Sequence, residues 1–354
     1  MKRKTRKTLK IHRWAGLFSG LFLVVITLSG ASLAFHREIE SLAYPEVLHV
    51  EPGPKRRPID DLLAPVRRAR PDFARFSLLE LPQTPDDALM VGYQEAEQLT
   101  SVYIDPYSGR VTGTLRDTFP RLALRLHRSF FAGLPGLLIS ILCGLALVVM
   151  TVTGFVLYRN FIGKALLFRV PLRRADGRWN VHALHNVVGA WSLVFLFLMG
   201  LSGTLANLGG LAPEYRIAYV GQRPEAPLRL SLDALLAETR RQLPGMVPRY
   251  VSFPQLKKGP ITVMGFEGPA LGGYSRVEFD PVTGRVVGVY PARETGGLRV
   301  LMALVVFHLG DWGGWPVKLT YMLLGLLAGT LPITGFVLWR RSTQSRRLPM
   351  LRPV

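Results

Sequence analysis

The chain has 354 residues, 49% of them hydrophobic, and a mean hydropathy of +0.23, above that usual for a soluble domain of this length. The net charge of +20 and pI near 10.7 would suit nucleic acid only if the basic residues shared one soluble face. They flank apolar runs instead, which points to a membrane and an anionic lipid surface; the lone Cys143 excludes an internal disulfide.

Taken in chain order, four apolar segments are long enough to cross a bilayer, which takes roughly 20 residues: about 14–35, 134–158, 187–208 and 317–339. The first has too long an apolar run for a signal peptide, and Phe35-His36-Arg37 is no small-residue cleavage site, so it is read as a retained helix. Basic residues cluster in 1–13 (Lys2, Arg3, Lys4, Arg6, Lys7, Lys10, Arg13), in 159–178 (Arg159, Lys164, Arg169, Arg173, Arg174, Arg178) and in the tail (Arg340, Arg341, Arg346, Arg347, Arg352). With four crossings these three flanks fall on one side. The positive-inside rule makes that side cytoplasmic and places both termini there. The expected setting is a bacterial inner membrane, with the long connections on its outer side.

The two halves can be laid on one another. His12-Arg-Trp-Ala-Gly16 matches His185-Asn-Val-Val-Gly189, and Ser29-Gly30 matches Ser202-Gly203. Asp60, Arg67-Arg68 and Pro71 match Asp233, Arg240-Arg241 and Pro244. Asp105-Pro-Tyr-Ser-Gly-Arg110 matches Asp280-Pro-Val-Thr-Gly-Arg285, His127 matches His308, and Thr153-Gly-Phe-Val-Leu-Tyr-Arg159 matches Thr334-Gly-Phe-Val-Leu-Trp-Arg340. The halves are 1–175 and 176–354. Each soluble stretch, about 37–120 and 209–297, opens with a helical pattern (Ile59–Arg70; Leu232–Gln242). Alternating strands follow, and a hairpin turns at Pro106 and Gly109 or at Pro281 and Gly284. The expected fold class is an all-α four-helix membrane bundle carrying two extracytoplasmic α+β modules, built by internal duplication.

The VYIDPYSGRV and VEFDPVTGRV hairpins resemble the PepSY module. With the flanking HRWAGL, LHRSFFAG, ALHNVVG and VFHLGDWGG segments, essentially the whole chain resembles the PepSY-associated transmembrane family. Some members are similar to bacterial inner-membrane ferric-siderophore reductases that hold two b-type haems among their helices, and others have no known activity. Some relatives carry a fused flavin reductase domain; this chain ends at Val354, soon after the fourth span, so none is expected. No CxxCH is present either, so haem would be the non-covalent b type.

Seven histidines exist: His12, His36, His49, His127, His182, His185 and His308. All but His49 lie near the ends of apolar segments, where a lone imidazole is more simply read as an interfacial side chain. Repeat equivalence alters that reading. His12 and His185 share one side of the membrane and His127 and His308 the other, so each pair can face across a pseudo-twofold axis. Two facing imidazoles are what a six-coordinate haem iron needs. The expected iron ligands are therefore His12 with His185 and His127 with His308. His182, three residues before His185, and His36 are weaker candidates. Arg13, Arg37 and Arg128 could meet haem propionates or simply snorkel. His49 is expected on an ordinary surface. His127 would lie about nine residues outside its span, so the breaks at Gly133-Leu-Pro135-Gly136 and Gly310-Asp-Trp-Gly-Gly-Trp-Pro316 are expected to fold short helices, 121–131 and 298–309, back onto the bundle. The small pairs Ser29-Gly30, Thr153-Gly154, Ser202-Gly203 and Thr334-Gly335 are read as sites of close helix packing, beside a flat macrocycle where one is bound.

Together with the resemblance, this implies a di-haem oxidoreductase that reduces a ferric siderophore or other ferric chelate outside the membrane. Its donor would be a cytoplasmic flavoprotein or a quinol; no nucleic acid is implied. Alternatives are a non-enzymatic regulator of an exported peptidase and an iron-chelate permease component. The permease suits spans almost free of mid-membrane charge least.

Overall fold

The computed structural model describes residues 3–69, 76–95, 98–219, 230–254, 259–268, 274–292, 296–310 and 312–347. Lys2, Arg70, Pro71, Asp311 and Arg352, noted above, lie outside them. The first half runs α1 (Arg3–Leu33), α2 (His36–Ala43), α3 (Pro45–Leu48), α4 (Ile59–Ala69), β1 (Phe76–Glu80), β2 (Leu89–Glu95), β3 (Gln98–Ile104), β4 (Val111–Arg116), α5 (Phe119–Ser129) and α6 (Gly133–Tyr158). After a short α7 (Ile162–Leu166), the second runs α8 (Val181–Tyr219), α9 (Leu232–Gln242), β5 (Val247–Ser252), β6 (Ile261–Phe266), β7 (Tyr274–Phe279), β8 (Val286–Tyr290), α10 (Gly296–Leu309) and α11 (Gly314–Arg347). The chain divides into two compact units, one of apolar helices and one built on a sheet.

In the helical unit, α1, α6, α8 and α11 each hold a stretch long and apolar enough to cross a membrane. Close approach at glycines shows who neighbours whom. A Cβ on Gly16 of α1 would meet Met150 of α6 at 3.3 Å, and one on Gly325 of α11 would meet Ala31 of α1 at 3.1 Å. Gly144 of α6 lies against Thr204 of α8, and Gly189 of α8 faces Leu331 of α11. The four helices thus close a ring, small residues letting their backbones approach. The helices run past the expected spans: α1 starts at Arg3 and α8 spans Val181–Tyr219. Hydropathy marks only the apolar part of a helix, and in α8 the helical backbone continues through Gly209, Gly210 and Pro213 beyond it.

The sheet unit holds one eight-stranded antiparallel sheet in the order β4-β3-β2-β1-β5-β6-β7-β8. The modules expected at 37–120 and 209–297 are therefore not two separate sheets. Their first strands pair, Leu79 opposite Val251, and this joins two four-stranded meanders. An unpaired edge presents a row of open N–H and C=O groups, and the β1–β5 pairing satisfies two such edges at once. Helices α4 and α9 cover one face. There Leu62, Leu63, Leu232, Leu235 and Leu236 share a core with Leu79, Val91, Ile104, Val251, Val263, Val277 and Phe279. Burial of each such side chain is worth on the order of 2 kcal/mol. Strand alternation sets the face: in β6, Ile261 and Val263 are buried, while Thr262 and Met264 are half-buried. Tyr44, Val47 and Leu48 pack near β3 and β4 on a smaller core with Tyr103 and Leu115.

The repeated DP-x-x-G-R motif is a turn device. Asp105 accepts from the backbone N–H of Tyr107 at 2.8 Å, and Asp280 from that of Thr283 at 2.7 Å. Gly109 and Gly284 then take left-handed φ of 80° and 70°. A second device ties the halves together. The Asp60 carboxylate accepts from the N–H of Leu232 at 3.0 Å, while Asp233 accepts from the N–H groups of Ile59 and Asp60 at 3.0 and 2.9 Å. Each aspartate thus caps the start of the other half's helix. Asp60→Ala and Asp233→Ala should each cost about 1 kcal/mol, read as a lower thermal midpoint of the detergent-solubilised protein. Asparagine at the same positions keeps an acceptor and should cost less. An unchanged midpoint in both alanine variants would mean the caps do not hold the halves.

Candidate functional site

Four of the seven histidines share one local environment within the helical unit. His12 Nδ1 lies 2.9 Å from Thr153 Oγ1, and His185 Nδ1 2.8 Å from Thr334 Oγ1. His127 Nδ1 lies 3.2 Å from Ser29 Oγ, and His308 Nδ1 3.0 Å from Ser202 Oγ. In each case the next residue is glycine, and the ring edge fills the room a side chain would take. A Cβ on Gly154, Gly335, Gly30 or Gly203 would stand 3.4, 3.5, 2.9 or 2.8 Å from the Cε1 of its histidine. The pairs read from sequence as helix-packing sites are therefore histidine seats.

The seats settle which ring nitrogen carries the proton. Each hydroxyl spends its hydrogen on its own helix: Thr153 donates to Val149 O at 2.7 Å, Thr334 to Thr330 O at 2.9 Å and Ser29 to Val25 O at 2.6 Å. Ser202 donates to Leu198 O in the same way. A hydroxyl has one proton, so only its lone pairs are left for the imidazole, and Nδ1 must be the donor. In the Ser29 seat the carbonyl three residues before the hydroxyl agrees, since a carbonyl only accepts. At Ser29 that carbonyl is Ile26 O, 2.9 Å from His127 Nδ1. Nε2 is then left as a lone-pair donor in all four, the state in which imidazole binds a metal.

The seats also bring the rings together in twos. The His12 and His185 centroids are 6.4 Å apart with planes at 89°, and those of His127 and His308 are 6.1 Å apart at 53°. Two imidazoles on opposite sides of one metal, with bonds of about 2.0 Å and a ring radius of about 1.1 Å from ring bonds of about 1.33 Å, have centroids about 6.3 Å apart. His12 and Ser29 are 17 residues apart on α1, as are His185 and Ser202 on α8, or about 25 Å of helix at about 1.5 Å per residue. The pairs therefore lie at two well-separated depths. The first pair opens into a cavity of about 910 Å³, mostly apolar, running along α1 from Leu9 to Thr27. Arg13, His182 and Asn186 line it as well.

The corner that brings in His127 is the break expected from sequence. Helix α5 stops at Ser129, Phe130 and Phe131 take left-handed φ of 51° and 59°, and α6 starts at Gly133 with φ 54°. Gly136 lies on the Ser129 carbonyl with no room for a Cβ. In the other half, Gly310 has φ 72° and carries the Tyr321 ring against it.

The remaining candidates fall elsewhere. Exposed His182 has no hydroxyl–glycine seat; its Nδ1 is 3.1 Å from the Asn186 amide nitrogen. His36 opens α2 in the sheet unit and joins neither pair. Arg37, a candidate for propionates, is engaged by the sheet, donating to Glu80 Oε1 at 3.0 Å and to Tyr250 Oη at 3.1 Å. Arg13 lines the cavity and donates to Ser342 Oγ at 3.1 Å, while Arg128 is half-buried beside His127. His49 is not the ordinary surface residue expected: it lies 2.6 Å from Ser41 Oγ and 3.1 Å from Asp86 Oδ2. Its cluster with Asp86 and Asp87 is a turn, since Asp87 Oδ2 accepts from the backbone N–H of Gln83 and Thr84 at 2.9 and 2.8 Å.

The apolar spans and the sheet unit define a multi-pass membrane protein with an α+β region. Residues 9–342 match the family described as the PepSY-associated TM region, and the chain belongs to it. It is similar to the uncharacterized protein PA4219 of Pseudomonas aeruginosa, 28% identical over 264 residues. That alignment covers 65% of this chain and 66% of the relative, so the chain spans just under two thirds of the relative's length.

Gly136→Ala should collide with the Ser129 carbonyl and pull His127 from its seat. The expected result is a thermal midpoint lower by several degrees, or aggregation on size exclusion in detergent. Wild-type behaviour would mean the corner is free to relax.

Proposed function

We propose that this protein is a di-haem b oxidoreductase of the inner membrane that passes electrons across it to a ferric siderophore or another ferric chelate. The observation that supports it best is the twofold appearance of one arrangement: two imidazoles, their Nδ1 protons engaged and their Nε2 lone pairs left over, about one metal's width apart. Haem b bound there supplies a one-electron ferric/ferrous couple. His12 and His185 would hold one group, His127 and His308 the other. The hydroxyls fix each ring and make Nε2 a stronger donor. The glycines clear the ring edges, and the 910 Å³ cavity leaves room beside the first pair. Arg13, at the cavity wall, can meet a propionate.

The rest of the reading extends from there. The matching order of elements supports an internal duplication. The basic flanks support cytoplasmic termini and a periplasmic sheet unit. Reduction of a chelate outside needs only electron delivery, so no general acid or base is required there. The donor would be a quinol or a cytoplasmic flavoprotein.

The protein purified in detergent from haem-replete cells should be red, with a low-spin b-type spectrum and about two haems per chain. A colourless preparation would sink the reading and favour a regulator of an exported peptidase. The pairs can be told apart, because no one haem reaches ligands about 25 Å apart along the helices. His185→Ala and His308→Ala should each remove about half the haem and abolish chelate reduction, as the pairs act in series. Thr334→Val should keep the haem but shift the potential of one centre, having lost only the acceptor for Nδ1–H. His49→Ala should change nothing. Full haem in both histidine variants would refute the pairing.

A further inference from the structure

One histidine of the sheet unit has surroundings of another kind. His49 follows α3, where residues 48–50 run antiparallel to residues 86–88. Val50 N–H donates to Asp86 O at 2.9 Å and Ala88 N–H to Leu48 O at 3.0 Å. The His49 ring lies between Ser41, in the last turn of α2, and Asp86. Ser41 Oγ is 2.6 Å from Nε2, and Asp86 Oδ2 is 3.1 Å from Nδ1.

The proton positions follow. A carboxylate only accepts, so Nδ1 carries the ring hydrogen and Nε2 is left as the acceptor. The Ser41 hydroxyl then donates to Nε2. This reverses the seats of the helical unit, where Ser29, Ser202, Thr153 and Thr334 spend their hydrogen on a carbonyl one turn back. A serine whose proton faces a neutral imidazole, itself oriented by a carboxylate, is the arrangement that activates a hydroxyl as a nucleophile.

The carboxylate is held in its turn. Thr84 Oγ1 donates to Asp86 Oδ1 at 2.7 Å, which keeps the Asp86 carboxyl below the usual carboxylate range. Arg56 donates to the carbonyls of Pro82 and Thr84, and Tyr107 Oη to Pro85 O at 2.8 Å. Asp87 Oδ2 is committed to the N–H groups of Gln83 and Thr84. Carboxylates so engaged with hydrogen donors orient a ring rather than ligate a cation. Nor does the fold need the constellation. Positions 41 and 49 fall between the matched pairs 29/202 and 60/233, and at the offset those pairs share the second half has Glu214 and Gln222. The His49 and Asp86 side chains are 38% and 49% exposed and Ser41 is half-buried, so a solute can reach all three.

We infer that Ser41, His49 and Asp86 form an acyl-transfer site that hydrolyses small carboxylic esters. It goes beyond the proposed function and is independent of the histidine pairs. Ser41 Oγ attacks the ester carbonyl carbon as its proton passes to His49 Nε2. The adduct expels the alkoxide, which takes that proton and leaves as the alcohol. Water then attacks the acyl-serine and gives a proton to Nε2. The acid leaves, and the proton returns to Ser41 Oγ. Ester and water thus give acid and alcohol, with nothing oxidised or reduced. Asp86 stays ionised throughout and stabilises the imidazolium.

The test uses the full-length protein in detergent, with p-nitrophenyl acetate as substrate and a fluorophosphonate as probe of the nucleophile. Wild type should turn over the ester and take the probe on Ser41, located by peptide mass spectrometry. Ser41→Ala should lose the label, and both Ser41→Ala and His49→Gln should hydrolyse the ester at least tenfold more slowly. Asp86→Asn should slow hydrolysis and move the rising limb of its pH profile to lower pH, because the imidazolium has lost its anion. Size exclusion checks that each variant is folded; should Ser41→Ala fail to fold, labelling of the wild-type serine decides. A wild type that takes no label on Ser41 would overturn the inference. So would hydrolysis unchanged in Ser41→Ala or in His49→Gln.

Discussion

An imidazole among apolar helices must find a partner for its N–H, and the structure depends on how four histidines meet that demand. Each donates Nδ1–H to a serine or threonine hydroxyl whose own proton is already committed one turn back along its helix. This fixes the tautomer, the ring orientation and the depth together. It also couples helices: His12 ties α1 to α6 and His185 ties α8 to α11, while His127 and His308 tie α5 to α1 and α10 to α8. Packing follows from the same residues, because the glycine after each hydroxyl admits the ring edge. Removing one seat would leave an unsatisfied donor in a dry place, at a cost of about 1–3 kcal/mol.

The sheet unit solves its own problem by comparable means. Two four-stranded meanders would each leave an open edge, and they close one edge apiece by pairing β1 with β5. Two helix starts would each leave unsatisfied N–H groups, and each receives the other half's aspartate. In both units a residue in one half meets the need of an element elsewhere in the chain. Asp60 and Asp233 show the reciprocity directly, since each carboxylate meets the backbone N–H groups at the start of the helix that carries the other.

Much of this was legible in the sequence. The four apolar runs and the paired offsets of the histidines led to the helices and to the rings that stand together, and the break at Gly133–Gly136 led to the corner between α5 and α6. The hairpin turns at Asp105 and Asp280 were legible because aspartate, proline and glycine at fixed spacing have few other local uses. The meaning of Ser29-Gly30 and its three counterparts was not, because small residues in a span usually serve helix packing and only the third dimension shows what fills the space. One hydroxyl–glycine pair for each of four histidines is a signal that could have been counted. The β1–β5 pairing was hidden because nothing local marks a strand as an inner one. The Arg37–Glu80 ion pair was not legible because the partners lie 43 residues apart.

The central claim is that the two histidine pairs each hold an iron through Nε2, and low-temperature electron paramagnetic resonance of the oxidised, purified protein tests it most directly. Ring planes at 89° in the first pair and 53° in the second predict two low-spin ferric signals of different anisotropy, the larger from the first pair. His185→Ala should remove only that signal. A spectrum without ferric haem, or one that is high-spin throughout, would contradict the account.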